Sequence, residues 1–214
     1  DLYLMPRIGE NILLRNQGDG TFVNIAADLG LNIDSFCSSA LFADFDNDGD
    51  SDLVVGRTLE RSKYFVNEGG KFVERTRELW GVRSPMLVYS VSAADYNGDG
   101  LLDIFFATGA QHISIREREL VTERNSPFAK GKMMFREFLS PEQSQRAFKE
   151  RGNNIMFARV GPPNLLLVNR GGRFEAAPEN PQLELYRTST QGSWSDYDGD
   201  GDPDLYVAND FAPD

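Results

Sequence analysis

An all-β fold, a β-propeller segment of four-stranded antiparallel blades with a partly helical insertion, is predicted by three features of the chain. Aspartate-rich nonapeptides stand at three places, and each runs straight into a short apolar stretch. The aspartates that open these stretches, Asp1, Asp52, Asp103 and Asp204, are 51, 51 and 101 residues apart. Gly-rich turns ending on an aromatic recur in step with them, over Asn16 to Phe22, Asn67 to Phe72 and Asn169 to Phe174. A period near 50 residues filled by four short strands is the signature of a propeller blade, whereas calcium-binding β-helices repeat at far shorter intervals.

The second unit shows each element in turn. A strand over Ser39 to Phe45 ends at the aspartate loop, and a second over Asp52 to Gly56 leaves it; both are rich in β-branched and aromatic residues. A third strand over Lys63 to Val66 reaches the Gly-rich turn, and a fourth over Lys71 to Arg75 leaves it. Apolar strand follows that turn, so it reads as a hairpin and not as a phosphate cradle, which needs a helix after it. The chain then divides into a partial blade over 1–34, a blade over 35–83, a blade over 84–184 with an insertion at 109–161, and a partial blade over 185–214. All belong to one propeller domain. Its few units fall short of a closed ring, and Asp1 stands where a loop would end. The chain therefore reads as a segment of a longer one.

The nonapeptides carry the chemistry. Oxygen side chains occupy positions 1, 3, 5 and 9: Asp44, Asp46, Asp48 and Asp52 in the first loop, Asp95, Asn97, Asp99 and Asp103 in the second, Asp196, Asp198, Asp200 and Asp204 in the third. A glycine sits at position 6, and the carbonyl of position 7 (Asp50, Leu101 or Asp202) is a further donor. Several hard oxygen donors converging on one point suit calcium. The helix-flanked calcium hand is excluded because its bidentate Glu at position 12 is replaced here by Val55, Phe106 and Val207. A polar turn of Asp, Asn and Gly would explain one such loop. It does not explain three with acidic residues in the same slots.

These residues resemble the FG-GAP, or VCBS-type, calcium-binding propeller repeat of integrin α-subunit heads and many secreted bacterial proteins. The resemblance is carried by Phe42-Ala43-Asp44-Phe45-Asp46-Asn47-Asp48-Gly49 with Asp52-Leu53, and by Asn11 to Asn16 with Gly20-Thr21-Phe22. The tract Asp196 to Phe211 is similar to bacterial ASPIC/UnbV-type proteins. The resemblance implies a non-catalytic propeller used for adhesion or protein contact. The insertion, Asn97 in place of Asp, and the small number of units depart from the pattern.

The formal net charge is −11, with much of the acidity in the loops, which argues against nucleic acid as a partner. No apolar stretch is long enough to span a membrane. The single Cys37 reads as a small buried residue. Loops of this charge suit millimolar extracellular calcium, so the expected location is extracellular, periplasmic or cell surface. The expected partners are a protein or glycan ligand and neighbouring blades of the parent chain. The insertion is net basic, with Ser140-Pro141-Glu142-Gln143 as an N-terminal cap for a helix over Pro141 to Arg151. A second helix is expected over Ile113 to Arg124. By blade connectivity the insertion lies on the disk face opposite the metal loops, a candidate recognition face that also gathers Arg7, Arg57, Arg61, Asn209 and Asp210. The alternative function is a non-catalytic or substrate-binding part of a polysaccharide-active enzyme. Within this chain no catalytic constellation can be built, since carboxylates committed to a metal make poor acids and His112 is the one histidine.

Overall fold

The computed structural model describes residues 1–34, 36–109, 162–183 and 188–210. The two expected insertion helices and His112 lie outside the described residues. Strands β1 (Leu2–Leu4), β2 (Ile12–Asn16) and β3 (Phe22–Asn24) form a first antiparallel sheet. The second is the meander β4 (Cys37–Ala43), β5 (Asp52–Arg57), β6 (Lys63–Asn67) and β7 (Phe72–Glu74). The third is β8 (Val88–Ala94), β9 (Asp103–Thr108), β10 (Leu165–Asn169) and β11 (Phe174–Ala176). Finally, β12 (Thr188–Ser195) pairs with β13 (Asp204–Asp210). The fold is all-β and propeller-like. A one-turn helix, α1 (Thr76–Leu79), follows β7; at four residues it is too short to leave a periodic signal in the sequence.

The apolar runs after the first two aspartate loops are continuous because both faces of their strands are buried. On β5, Leu53 and Val55 pack with Leu13, Ile25 and Leu31 of the first unit, while Val54 points the other way with Ile104, Phe106 and Phe174 of the third. On β9 the alternation repeats: Ile104 and Phe106 face the second sheet, and Phe105 and Ala107 face Trp194, Leu205 and Val207 of the β12–β13 pair. The leading strands β4, β8 and β12 lie beside one another. Ser38 Oγ donates to Val88 O across the first of these junctions at 2.7 Å. At the second, a Cβ on Gly192 would collide with the Phe105 ring, so glycine is what lets β12 approach.

A backbone relay joins the units at the end away from the aspartate loops. Phe36 N–H donates to Arg7 O, Thr58 N–H to Phe36 O, Leu87 N–H to Thr58 O, and Gly109 N–H to Leu87 O, at 2.8 to 3.0 Å. Its members recur at the repeat spacing of 51 residues, Arg7 with Thr58 and Gly109, and Phe36 with Leu87. Phe36 and Leu87 are both in the left-handed region, at φ 61° and 57°. Such a conformation is costly for bulky residues, and their burial holds it in place. Arg57, expected on an exposed recognition face, is instead buried at 4% exposure. It donates to Asp34 O at 2.9 Å and pairs with Glu60. Cys37 is buried, as expected, with the Asn11 amide donating to its sulfur at 3.4 Å.

The strands flanking the insertion pair directly, Leu165 opposite Phe106 and Leu167 opposite Ile104, as β5 and β6 do without one. Replacing 110–161 by a short Gly-containing turn is therefore expected to preserve the cooperative unfolding transition and the β-type far-UV circular dichroism. Loss of the folded state would assign the insertion to the core.

Candidate metal loops

Each loop is wound by its own first aspartate. Asp44 accepts the Asp48 and Gly49 N–H groups at 3.2 and 3.0 Å. Asp95 accepts those of Asp99 and Gly100 at 3.0 and 2.8 Å, and Asp196 those of Gly199 and Gly201 at 2.8 and 3.1 Å. The chain reverses through left-handed residues at positions 4 and 6, for example Asn47 at φ 59° and Gly49 at φ 95°. Glycine, and to a lesser extent asparagine, tolerates that region. The position 4 signal was present in the sequence as Asn47, Gly98 and Gly199.

Among the described residues, two groups of three carboxylates have ligand oxygens within 4.8 Å of one another: Asp44, Asp46 and Asp48, and Asp196, Asp198 and Asp204. Burial, with the charges of Asp48 and Asp44 behind it, pushes the Asp46 carboxyl above its usual range. Its Oδ1 is buried without a hydrogen-bond partner. An orphaned buried carboxylate oxygen among other carboxylates is costly and is the kind of donor a hard cation satisfies, so the residues fit calcium. The second loop differs. Asn97 Oδ1 accepts the Asp99 N–H at 2.9 Å, and the Arg170 guanidinium lies 3.7 Å from Asp99. Asp50 and Asp202 each give their own N–H to the position 5 carboxylate, at 2.9 and 3.0 Å. Leu101 does the same with Asp99 at 3.0 Å.

The position 9 aspartates have a second role that ligand spacing does not reveal. Asp52 Oδ1 accepts the Asn67 N–H at 2.8 Å and its Oδ2 the Tyr64 hydroxyl at 2.6 Å. Asp103 Oδ1 accepts the Asn169 N–H at 2.7 Å, and Asp1 Oδ1 the Asn16 N–H at 2.9 Å. In the second and third loops the other carboxylate oxygen of position 9 accepts the position 2 N–H, from Tyr96 at 3.3 Å and Tyr197 at 3.2 Å. Burial raises the Asp52 and Asp103 carboxyls despite these bonds. Burial and the Asp52 carboxylate raise the Tyr64 hydroxyl strongly, keeping it a donor.

Position 2 supplies an aromatic plug between units. Phe45 is buried edge-on to Tyr64 of its own sheet at 5.9 Å and to Phe174 of the next at 5.8 Å. Tyr96 stacks on Trp194 at 6.5 Å. Tyr197, at the same position of the third loop, is 81% exposed.

Residues 1–55 and 44–106 each match the FG-GAP-like repeat family. The chain carries FG-GAP-like repeats. The second match runs from the first residue of one aspartate loop through the next loop and into β9, so the FG-GAP-like unit is framed by the loops. The chain is also similar to cartilage acidic protein 1. Against the Xenopus tropicalis protein it is 33% identical over 109 residues, covering 50% of this chain and 17% of the relative. Against the Mus musculus protein it is 31% identical over 121 residues, covering 55% of this chain and 19% of the relative. Against the Homo sapiens protein it is 31% identical over 121 residues, covering 55% of this chain and 18% of the relative. The chain thus spans under a fifth of these relatives' length. Among the described residues no helix is long and apolar enough to cross a membrane.

The position 9 clip predicts a stability effect separable from metal binding. With chelator present, Asp103→Ala strands the buried Asn169 N–H and should cost about 1–3 kcal/mol in denaturant unfolding. Asp99→Ala, at an exposed position, should cost no more than about 0.5 kcal/mol. Equal effects would remove the structural role assigned to Asp103.

Proposed function

We propose that this chain is a calcium-stabilised FG-GAP-like propeller module of an extracellular protein, which presents a rigid surface to a protein or glycan partner and performs no catalysis of its own. The observation that carries the calcium reading is the orphaned Asp46 Oδ1 between Asp44 and Asp48. Asp44, Asp46 and Asp48, with the Asp50 carbonyl, would hold the ion in the first loop, and Asp52 would close that loop. Asp196, Asp198, Asp200 and Asp204 would hold it in the third, with the Asp202 carbonyl. Asp95, Asn97, Asp99, Asp103 and the Leu101 carbonyl form the second donor set. A bound divalent cation supplies the positive charge that these converging carboxylates otherwise lack.

The extracellular placement is supported by the weak to moderate calcium affinity expected of short loops with exposed edges. It is also supported by the similarity to relatives whose name places them in cartilage. The non-catalytic reading is supported by the loop carboxylates' engagement with backbone N–H groups, which leaves them poorly placed to exchange protons with a substrate.

Chelation is the direct test. Calcium at 100 times its dissociation constant stabilises a protein by about 2.7 kcal/mol per site, so EGTA should lower the melting temperature by several degrees. An unchanged melting curve would overturn the calcium assignment. The loops should also fill in order. The second presents one carboxylate fewer and has Arg170 near Asp99, so calorimetry should show it binding last. Asn97→Asp should tighten that site; no tightening would show that carboxylate count does not control the order.

A further inference from the structure

We propose that the loops Asp44–Asp52 and Asp95–Asp103 are energetically coupled sites, with buried Asn169 as the positioning residue that ties them together. The proposal rests on the calcium reading of these loops. Asn169 closes β10 and has no exposed surface. Its side-chain amide donates both hydrogens to carbonyls in different loops: Phe45 O, at position 2 of the first, at 2.7 Å, and Leu102 O, at position 8 of the second, at 3.0 Å. Its Oδ1 accepts the Gly172 N–H at 2.8 Å, and its own N–H is held by Asp103. One rigid group is therefore bonded to both loops and to the carboxylate that closes the second.

Two further contacts run along the same seam. The Asn47 amide, at position 4 of the first loop, donates to Gly100 O, at position 6 of the second, at 3.1 Å. Gly172, bonded to Asn169, packs so closely on the first loop that a Cβ there would lie 3.1 Å from Asp46 Cβ. The corresponding residue of the second sheet, Asn67, bonds its own loop at Ser51 O at 3.1 Å and accepts the Gly70 N–H at 2.7 Å. The shared local frame is the same. In Asn169 it is extended across the junction to Phe45.

Ordering one loop around a cation fixes the carbonyl that Asn169 binds, and through Asn169 it fixes the other. Less ordering then remains for the second binding event, which makes the coupling positive and, by linkage, reciprocal.

The two loops can be followed separately in the whole chain by the amide resonances of Gly49 and Gly100 during a calcium titration. Because the second loop fills last, its affinity carries the coupling, and disabling the first loop with Asp46→Ala and Asp48→Ala should weaken the second loop on the order of fivefold. In an Asn169→Ala background the same disabling should change the second loop by less than about twofold. A merely structural Asn169 would lower the melting temperature and leave that ratio as in the parent. If Asn169→Ala does not fold, Asn47→Gly serves, since glycine adopts the left-handed backbone there without strain, and it should diminish the ratio. Second-loop affinity independent of the first loop, or a ratio untouched by either background, overturns the coupling while leaving the calcium reading intact. Gly49 and Gly100 signals unmoved by calcium would overturn both.

Discussion

An aspartate carboxylate that accepts a backbone N–H from the neighbouring strand, buried at Asp52 and Asp103 and exposed at Asp1, is the interaction on which the other features depend. It recurs as Asp1 with Asn16, Asp52 with Asn67, and Asp103 with Asn169. In each case the aspartate stands at the start of one strand and the asparagine at the end of the next, so the bond pins an antiparallel pair where the polar loops emerge. Asp52 and Asp103 have no exposed surface. An unpaired carboxylate in that setting would be strongly unfavourable. The loops, the Gly-rich turns and the sheet edges are thereby fixed relative to one another before any cation is considered.

Packing between units follows from strands buried on both faces. Residues of β5 and β9 alternate between the preceding and following neighbours, so each sheet is a middle layer in a stack. Contacts from one unit to the next then supply most of the core, as in other repeat architectures. The position 2 aromatics extend this packing into the loops. Phe45 ties the shape of the first loop to Tyr64 and Phe174 on either side of the junction, so a polar, solvent-facing loop is anchored by one of the most buried side chains in the molecule.

The two ends of the stack are organised by different chemistry. Carboxylates and Gly-rich turns gather at one end, where burial and then the charges of Asp48 and Asp44 raise the Asp46 carboxyl. The other end is held by the backbone relay through Phe36, Thr58 and Leu87 and by the buried Arg57 with Glu60. Strain in the left-handed Phe36 and Leu87 is accepted there because each keeps both its N–H and its carbonyl bonded.

Much of the architecture was legible in the sequence. The spacing of Asp1, Asp52, Asp103 and Asp204 determined the repeat, and the apolar runs beside them determined the strands within a few residues. The register of glycines and aspartates determined the loops, because ligand spacing and left-handed turns are properties of a few consecutive residues. Tertiary structure alone decided which carboxylates cluster and which become clips, since that depends on partners such as Asn169, 66 residues from Asp103. It also decided that Arg57 is interior and that Phe45 is a plug. Alternation along a strand tells which side chains share a face, but not what covers that face. Only the stacking of one unit on the next brings Asn169 to Phe45, 124 residues away, and no local pattern encodes a hydrogen bond across that separation.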